Sequence, residues 1–347
     1  MARVLITGLS SFWGGRLAQA LERHPAIEVV VGIDTQSPTV PLENTEFVRT
    51  DESYSILHRL VRATQVDVVV HAGLVVDSTI LGGSRLHERN VISTMNLLGA
   101  LGAEGSQVRA LLVKSSTLVY GSSPRDPVWF AEEDARLEAP RTRMERSLLE
   151  AESYVADFAQ DHPEVGVAVL RCANVLGSEI TTSISNVLAL PLVPRICGFD
   201  PLIQFVEQHD VVRAILFALE HSLRGTYNVA GDDRLPWSEI LALAGRRSLL
   251  LPPVGTAAAA GFLKALGQAD LTPELLELLR YGRGVDTSRL NKAGFYYRYT
   301  TAGAVDHFVG AQRLAAIVGD TRPQYRYESD VEAFFRHSPA VVRSAEA

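Results

Sequence analysis

Lysine is scarce in this chain. Lysine and arginine together number 33, yet only Lys114, Lys264 and Lys292 are lysines. An amine whose pKa the surroundings can tune is therefore available at three places only. Cysteine is almost missing as well. Cys172 and Cys197 are the only two, too few for a disulfide framework, and a reducing, cytoplasmic setting is expected. No apolar run reaches the ~18 residues of a membrane span. The most apolar long stretch, 249–266, is interrupted by Pro252, Pro253 and Lys264. It reads as a connector and a core-facing helix, and it lacks the basic face of a membrane-surface helix. The chain opens directly on a strand pattern, without a basic segment and cleavage site of the secretory kind. A basic excess is missing too: the net charge of −7 argues against a nucleic-acid partner. The nine histidines form no H-x-x-x-H pair, so no metal is expected, and there is no G-x-S-x-G elbow.

What is present suits a large globular fold. Apolar residues make up 47% of 347, which excludes a disordered chain and allows one large domain or two intimately joined ones. The first twenty residues carry the strongest local signal. Arg3–Ile6 is a short apolar run, broken by Thr7-Gly8-Leu9-Ser10-Ser11-Phe12-Trp13-Gly14-Gly15, after which Leu17, Ala20 and Leu21 resume at helical spacing. Strand, tight turn, helix is the phosphate cradle of a dinucleotide-binding βαβ unit. Gly8 and Gly14 fit the first and third glycines of G-x-x-G-x-x-G, and Ser11 stands at the second. A serine held there at positive φ would cost ~1–2 kcal/mol, so the turn is expected to take a shifted path.

Strand and helix patterns then alternate. Glu28–Ile33 is β-branched and ends at Asp34. A carboxylate there accepts hydrogen bonds from adenosine ribose hydroxyls and repels a 2′-phosphate, which favours NAD over NADP. The plainer alternative is a solvated strand-end carboxylate. A third strand ends at Asp51, and Val66–His71 is a fourth, apolar enough to be buried on both faces. His71 at its end reads as structural. Val91–Gly99 is a helix, and Arg109–Val113 a fifth strand that runs into Lys114-Ser115-Ser116. The alternation specifies an α/β fold, a Rossmann-type doubly wound parallel sheet with functional groups beyond its strand ends.

Seven short motifs in order give this chain a resemblance to extended short-chain dehydrogenase/reductases of the NAD-dependent epimerase/dehydratase type, which include UDP-glucose 4-epimerases. Thr7-Gly8 to Gly14 resembles T-G-x-x-G-F-I-G, and Val70-His71-Ala72-Gly73 resembles V-H-x-A-A. Asn90-Val91 to Asn96-Leu97-Leu98 resembles N-V-x-G-T-x-N-L-L, and Ser115 to Gly121 resembles S-S-x-x-V-Y-G. Leu170 to Gly177 resembles L-R-x-x-N-V-Y-G, Gly225 to Val229 resembles G-x-Y-N-V, and Asp286 to Arg289 resembles D-x-S-K. The likeness covers about residues 1–310. It implies NAD held by Gly8, Ser10, Ser11, Phe12, Trp13, Gly14, Asp34, Asp51, Glu52, Ala72, Gly73, Leu74, Asn90 and Ser115. It implies a small-molecule substrate, a nucleotide-sugar, met by Ser116 and Asn174, and it allows a homodimer.

The catalytic pattern departs from the family's. Such enzymes use a serine with Tyr-x-x-x-Lys, the lysine lowering the tyrosine pKa. Ser116 matches the serine. Ser147 to Glu152 aligns with S-K-L-E-A-E, which puts Leu148 at the lysine and Met144 at the tyrosine. Met144, Leu148, Ala151, Val155 and Phe158 make an apolar helical stripe, expected to be packed. Lys114 shares a strand face with Ser116 and is a candidate for the missing cation. Its plainer reading is a strand-end lysine snorkelling to water. Glu145 would serve as a base only if it faced the site. Ile203 stands where the family has an arginine on the substrate diphosphate.

The expected organisation is a cofactor domain over 1–170 rejoined by 197–230, with Thr226–Val229 as edge strand. A substrate lobe would take 171–196 and 231–320, including a helix over 271–279, and the tail 321–347 would fray. Two functions remain open: an NAD-dependent nucleotide-sugar epimerase or dehydratase-like enzyme with altered catalytic groups, or an NAD(H)-binding sensor or partner subunit without turnover.

Overall fold

A computed structural model describes residues 1–81, 83–265, 270–318 and 331–343. The first half runs β1 (Ala2–Thr7), α1 (Phe12–Leu21), β2 (Ile27–Asp34), β3 (Thr45–Arg49), α2 (Tyr54–Thr64), β4 (Val68–His71) and α3 (Ser84–His87). A π-helical turn, Glu88–Ile92, leads into α4 (Ser93–Leu101), followed by β5 (Ala110–Ser116), a 3₁₀ turn and α5 (Arg143–Asp161). Then come β6 (Gly166–Cys172), β7 (Asn174–Leu176), α6 (Ser183–Ala189), β8 (Leu192–Ile196), β9 (Leu202–Ile203), β10 (Phe205–Glu207), α7 (Gln208–Glu220) and β11 (Gly225–Val229). The remainder is β12 (Leu235–Pro236), α8 (Trp237–Leu243), β13 (Arg247–Leu251), α9 (Thr256–Ala265), α10 (Pro273–Tyr281), α11 (Ser288–Lys292), α12 (Thr301–Val318) and α13 (Val331–His337).

Seven strands form one sheet in the order β11-β6-β5-β4-β1-β2-β3, and every neighbouring pair is parallel. This is the doubly wound arrangement expected from the alternation. The strand order reverses between β1 and β4, and the crevice at their carboxyl ends is where such folds bind ligands. Helix α2 packs on α4 and α4 on α5, while α1 packs on α7. Right-handed crossovers place the two groups on opposite faces of the sheet.

The apolar residues gather in two clusters. The larger is built on the sheet, with Leu5, Ile6, Ile33, Val69, Val70 and Leu170 fully or nearly fully buried. The smaller includes Leu176, Ile184, Val193, Phe205, Trp237, Leu279 and Phe308. Trp237 is completely buried, and its indole N–H donates to the Pro194 carbonyl at 3.0 Å. Strand β8 pairs with β13, so residues 192–205 pack with the smaller cluster and the chain re-enters the larger one at Val206. That return comes later than the expected 197. Part of the expected fraying tail is docked. Phe334 and Ala340 are buried in the larger core, Arg59 pairs with Glu332 at 2.8 Å, and the Val342 N–H donates to the Ala63 carbonyl at 2.7 Å. Residues 319–330 and 344–347 lie outside the described residues. No helix among the described residues is long and apolar enough to cross a membrane.

Candidate functional site

The glycine turn closes the gap between β1 and α1. Gly8 has φ +72°, and a Cβ there would fall 2.5 Å from the Gly73 Cα. A Cβ on Gly14 would fall 2.4 Å from the Gly8 carbonyl oxygen. No side chain fits at either place, for steric reasons rather than propensity alone. Ser11 is different. Its φ is −69° with ψ 157°, ordinary extended backbone. Ser11 thus avoids the strain of positive φ, which in the turn only Gly8 takes. Ser11 is the N-cap of α1 instead: its Oγ accepts from the Gly14 N–H at 3.1 Å and donates to the Gly8 carbonyl at 2.6 Å. The N-terminus of the ten-residue α1 thus opens on the crevice, a favourable place for an anion.

Asp34 stands at the end of β2 as expected, but it is not solvated. It is 3% exposed, and its oxygens already have partners. Oδ2 accepts from the Ser10 N–H at 3.0 Å and the Ser10 hydroxyl at 2.6 Å. Oδ1 accepts from the Thr35 N–H at 2.7 Å and from Arg89 Nη2 at 3.3 Å. The other terminal nitrogen of Arg89 lies 3.1 Å from Glu52 Oε1, a carboxylate 1% exposed. Burial pushes the Glu52 carboxyl up to about 7, against the opposing pull of Arg89. Ala72, Gly73 and Leu74 are buried beside this group. Asp51 is exposed and accepts from the Ser53 N–H at 3.1 Å. Asn90 is completely buried: its amide carbonyl accepts from the Val75 N–H, and its NH₂ donates to the Val75 carbonyl and the Ser147 hydroxyl. It fixes the β4–α3 connection and does not face the cleft. His71 bonds to the hydroxyls of Thr7 at 2.6 Å and Thr94 at 3.0 Å, and burial pushes its pKa down to about 3.

Helix α5 begins with a capping box. Thr142 Oγ accepts from the Glu145 N–H, and the Glu145 carboxylate accepts from the Thr142 N–H. Glu145 also pairs with Arg136 at 3.0 Å, so this carboxylate serves the helix start and the base role is excluded. Met144 and Leu148 are 1% and 0% exposed within the core, as their apolar stripe predicts.

Strand β5 supplies the polar groups. Ser115 is buried and its hydroxyl donates to Glu152, which in turn pairs with Arg171 at 2.7 Å. It therefore turns away from the cofactor side. Lys114 and Ser116 face the other way and line one cleft of about 940 Å³ together with Ser10, Ser11, Phe12, Trp13, Cys172 and Asn174. The snorkelling reading of Lys114 fails. The residue is 1% exposed and its Nζ lies 4.7 Å from the centroid of the Trp13 ring. Burial lowers its pKa, partly opposed by the neighbouring Cys172, whose thiol burial pushes up to about 11. Ser116 caps the following 3₁₀ turn, accepting from the Leu118 N–H at 3.2 Å.

The cleft continues past Ser116 and Asn174 into a smaller recess lined by Met144, Asp77, Ser183, Thr272 and Arg283. Arg283 is 9% exposed, and among the described residues its guanidinium has no hydrogen bond or ion pair. Burial pushes its pKa down to about 10, partly opposed by attraction to Glu145 and Asp126. Ile203 is completely buried in β9 and bridges to the backbone of Arg283. Arg89 and Arg283 escape a reading of the sequence. Arg89 directly precedes the marked Asn90, but nothing in the sequence says that it reaches Asp34. Arg283 lies over a hundred residues from Ser116, and only the fold brings the two together.

The turn with its two obligatory glycines fits the diphosphate of a dinucleotide. The ribose end does not fit one while the Arg89 guanidinium lies against Asp34.

Comparison with known proteins places the chain among relatives. The family described as NAD dependent epimerase/dehydratase matches residues 4–230. An uncharacterised protein of Mycobacterium tuberculosis is 33% identical over 325 residues, covering 92% of this chain and 86% of that protein. The same values hold for an uncharacterised protein of Mycobacterium bovis. Among solved structures, a Thermotoga maritima UDP-glucose 4-epimerase with UDP-glucose has a TM-score of 0.69 at 18% identity, covering 90% of this chain and 99% of that one. A Bacillus cereus UDP-glucuronic acid 4-epimerase in complex with NAD has a TM-score of 0.67 at 17% identity, with coverage of 90% and 99%. At these identities the structures share the fold.

Proposed function

The chain belongs to the NAD-dependent epimerase/dehydratase family, and on that premise we propose that it holds NAD along the glycine turn and works on a nucleotide-linked sugar in the continuing cleft, with Lys114 and Ser116 handling the proton. A nicotinamide held there supplies the hydride acceptor. The chain supplies the rest. Burial favours the neutral amine of Lys114, and a neutral amine can take the proton of a substrate hydroxyl. The Ser116 hydroxyl lies on the same cleft wall and orients that hydroxyl. Cys172 stays a thiol beside them, since its pKa is raised to about 11.

The observation that carries this reading is Arg283. A buried guanidinium that makes no hydrogen bond or ion pair among the described residues, and is attracted only at longer range by Glu145 and Asp126, sits at the far end of the same cleft as Ser116 and Asn174. Such a group calls for an anion, and a planar fork suits a diphosphate. Ile203 cannot hold the diphosphate, and the bridged backbone next to it presents Arg283 in its place. Asp34 at the end of β2 repels a 2′-phosphate, which favours NAD over NADP.

The test is turnover of a panel of UDP- and dTDP-sugars with NAD, followed by absorbance at 340 nm and by product analysis. Activity that falls at least a hundredfold in both Lys114→Met and Ser116→Ala supports the reading. Activity untouched by either variant refutes the roles given to them. A second reading, a dinucleotide-binding protein without turnover, is favoured by the full burial of Met144 and Leu148, which puts no acid or base at the two positions of α5 where the family has its tyrosine and lysine. Tight NAD binding with no reaction across the whole panel selects it.

A further inference from the structure

The Arg89 side chain occupies the place between the glycine turn, Asp34 and the β4 end where an adenosine ribose would lie. Three observations locate it there. Its Nη2 is 3.3 Å from Asp34 Oδ1, on the carboxylate that in this fold accepts ribose hydroxyls. The same nitrogen would stand 3.4 Å from a Cβ on Gly73, which itself abuts Gly8. Asp34, Ala72, Gly73 and Leu74 are all buried, and the open cleft runs past Ser10 and Trp13 without reaching them. The guanidinium is held from both sides, by Asp34 on β2 and by Glu52 beyond β3. It is carried on the π-helical turn Glu88–Ile92, a feature frequent at functional sites.

We propose that Arg89 is a built-in plug of the adenosine subsite, so that a dinucleotide binds only by displacing the guanidinium from Asp34 and Glu52. The inference rests on the dinucleotide reading above and adds a control to it. The plug exploits a balance of charges. Asp34 and Glu52 face one guanidinium from two sides, and since burial raises the Glu52 carboxyl to about 7 the holding falls mainly to Asp34, to which a ligand must offer hydroxyl donors in exchange. The Glu52 contact is not aligned as a hydrogen bond, so the holding on that side comes from charge alone and only while Glu52 is ionised. A dinucleotide therefore binds less tightly than an open cleft of this shape would allow. Anything that draws Arg89 away opens the site.

Three variants test this with NADH fluorescence and calorimetric titration of NAD and NADP. Arg89→Ala empties the subsite. Arg89→Ala with Glu52→Gln does so without leaving Glu52 as an unpaired buried charge, in case the single variant fails to fold. Glu52→Gln alone loosens the plug while Arg89 keeps Asp34. The expected result is a Kd for NAD at least tenfold lower in the Arg89 variants, with Glu52→Gln in between. Wild-type affinity that is unchanged or weakened in all three overturns the plug and leaves the dinucleotide reading standing. Binding of NADP in preference to NAD, lost in Arg89→Ala, also overturns it, because Arg89 then holds a 2′-phosphate. No dinucleotide binding by any form overturns both the plug and the reading it rests on.

Discussion

The Lys114 Nζ rests 4.7 Å from the centre of the Trp13 ring, so a residue of β5 and a residue of the glycine turn meet across one cleft. Two effects compete on that amine. Attraction to the ring favours the cation by ~0.5–2 kcal/mol. Removing an ammonium from water costs several kcal/mol. Burial wins, and the pKa moves down from 10.5. The side chain that would snorkel to solvent is instead buried in the cleft wall.

Lys114→Met tests the direction of that shift without any substrate. Below 10.5 the unfolded chain keeps the proton that the folded chain gives up at its lowered pKa. The unfolded state therefore holds more protons in that window, and stability rises with pH through it. The Tm of the wild type relative to Lys114→Met should climb between neutral pH and pH 10. A difference that stays flat or falls would mean the amine is charged in the fold.

Arg283→Met should separate binding from folding. Replacing a buried cation that makes no hydrogen bond or ion pair among the described residues with an apolar chain of similar volume removes the cost of keeping its charge from water. Tm is therefore expected to hold or rise, while affinity for UDP drops at least tenfold. A loss of Tm with unchanged UDP affinity would make Arg283 a structural residue.

His71 gives an acid-sensitive contribution. Its pKa falls to about 3 in the fold against 6.5 unfolded, so the unfolded state binds more protons between those values. Stability is complete above pH 6.5 and is lost as pH falls, at ~1.4 kcal/mol per pH unit for one proton. His71→Gln keeps a polar group between Thr7 and Thr94 and should flatten that slope in urea titrations. An equal slope in both proteins would put the acid sensitivity elsewhere.

Ser11→Ala should destabilise the fold by ~1 kcal/mol through loss of the α1 cap, whereas Ser11→Gly should cost only a few tenths. Chemical denaturation distinguishes the two. A larger cost for glycine would contradict the capping role. The same pair settles why a serine stands where the family motif has a glycine. The backbone there is extended, so the site asks for a cap and not for positive φ.

The sequence by itself determined the sheet. Apolar β-branched runs separated by helical spacing call for a parallel sheet covered by helices, which buries both faces of strands such as β4. It also placed Gly8, Gly14, Asp34 and Ser116, since each follows directly from its own strand and turn, and it identified Met144 and Leu148 as packed. Tertiary structure alone decided what those groups meet. Asp34 is spent on Ser10 and Arg89, Ser115 on Glu152, and Glu145 on its own helix cap. Lys114 is buried rather than wet, and Arg283 arrives from the far end of the chain. Local periodicity reports which face of an element is apolar. Whether a charged side chain on that face finds water, a partner or neither depends on segments distant in sequence, so the pKa values and the plug belong to the folded chain.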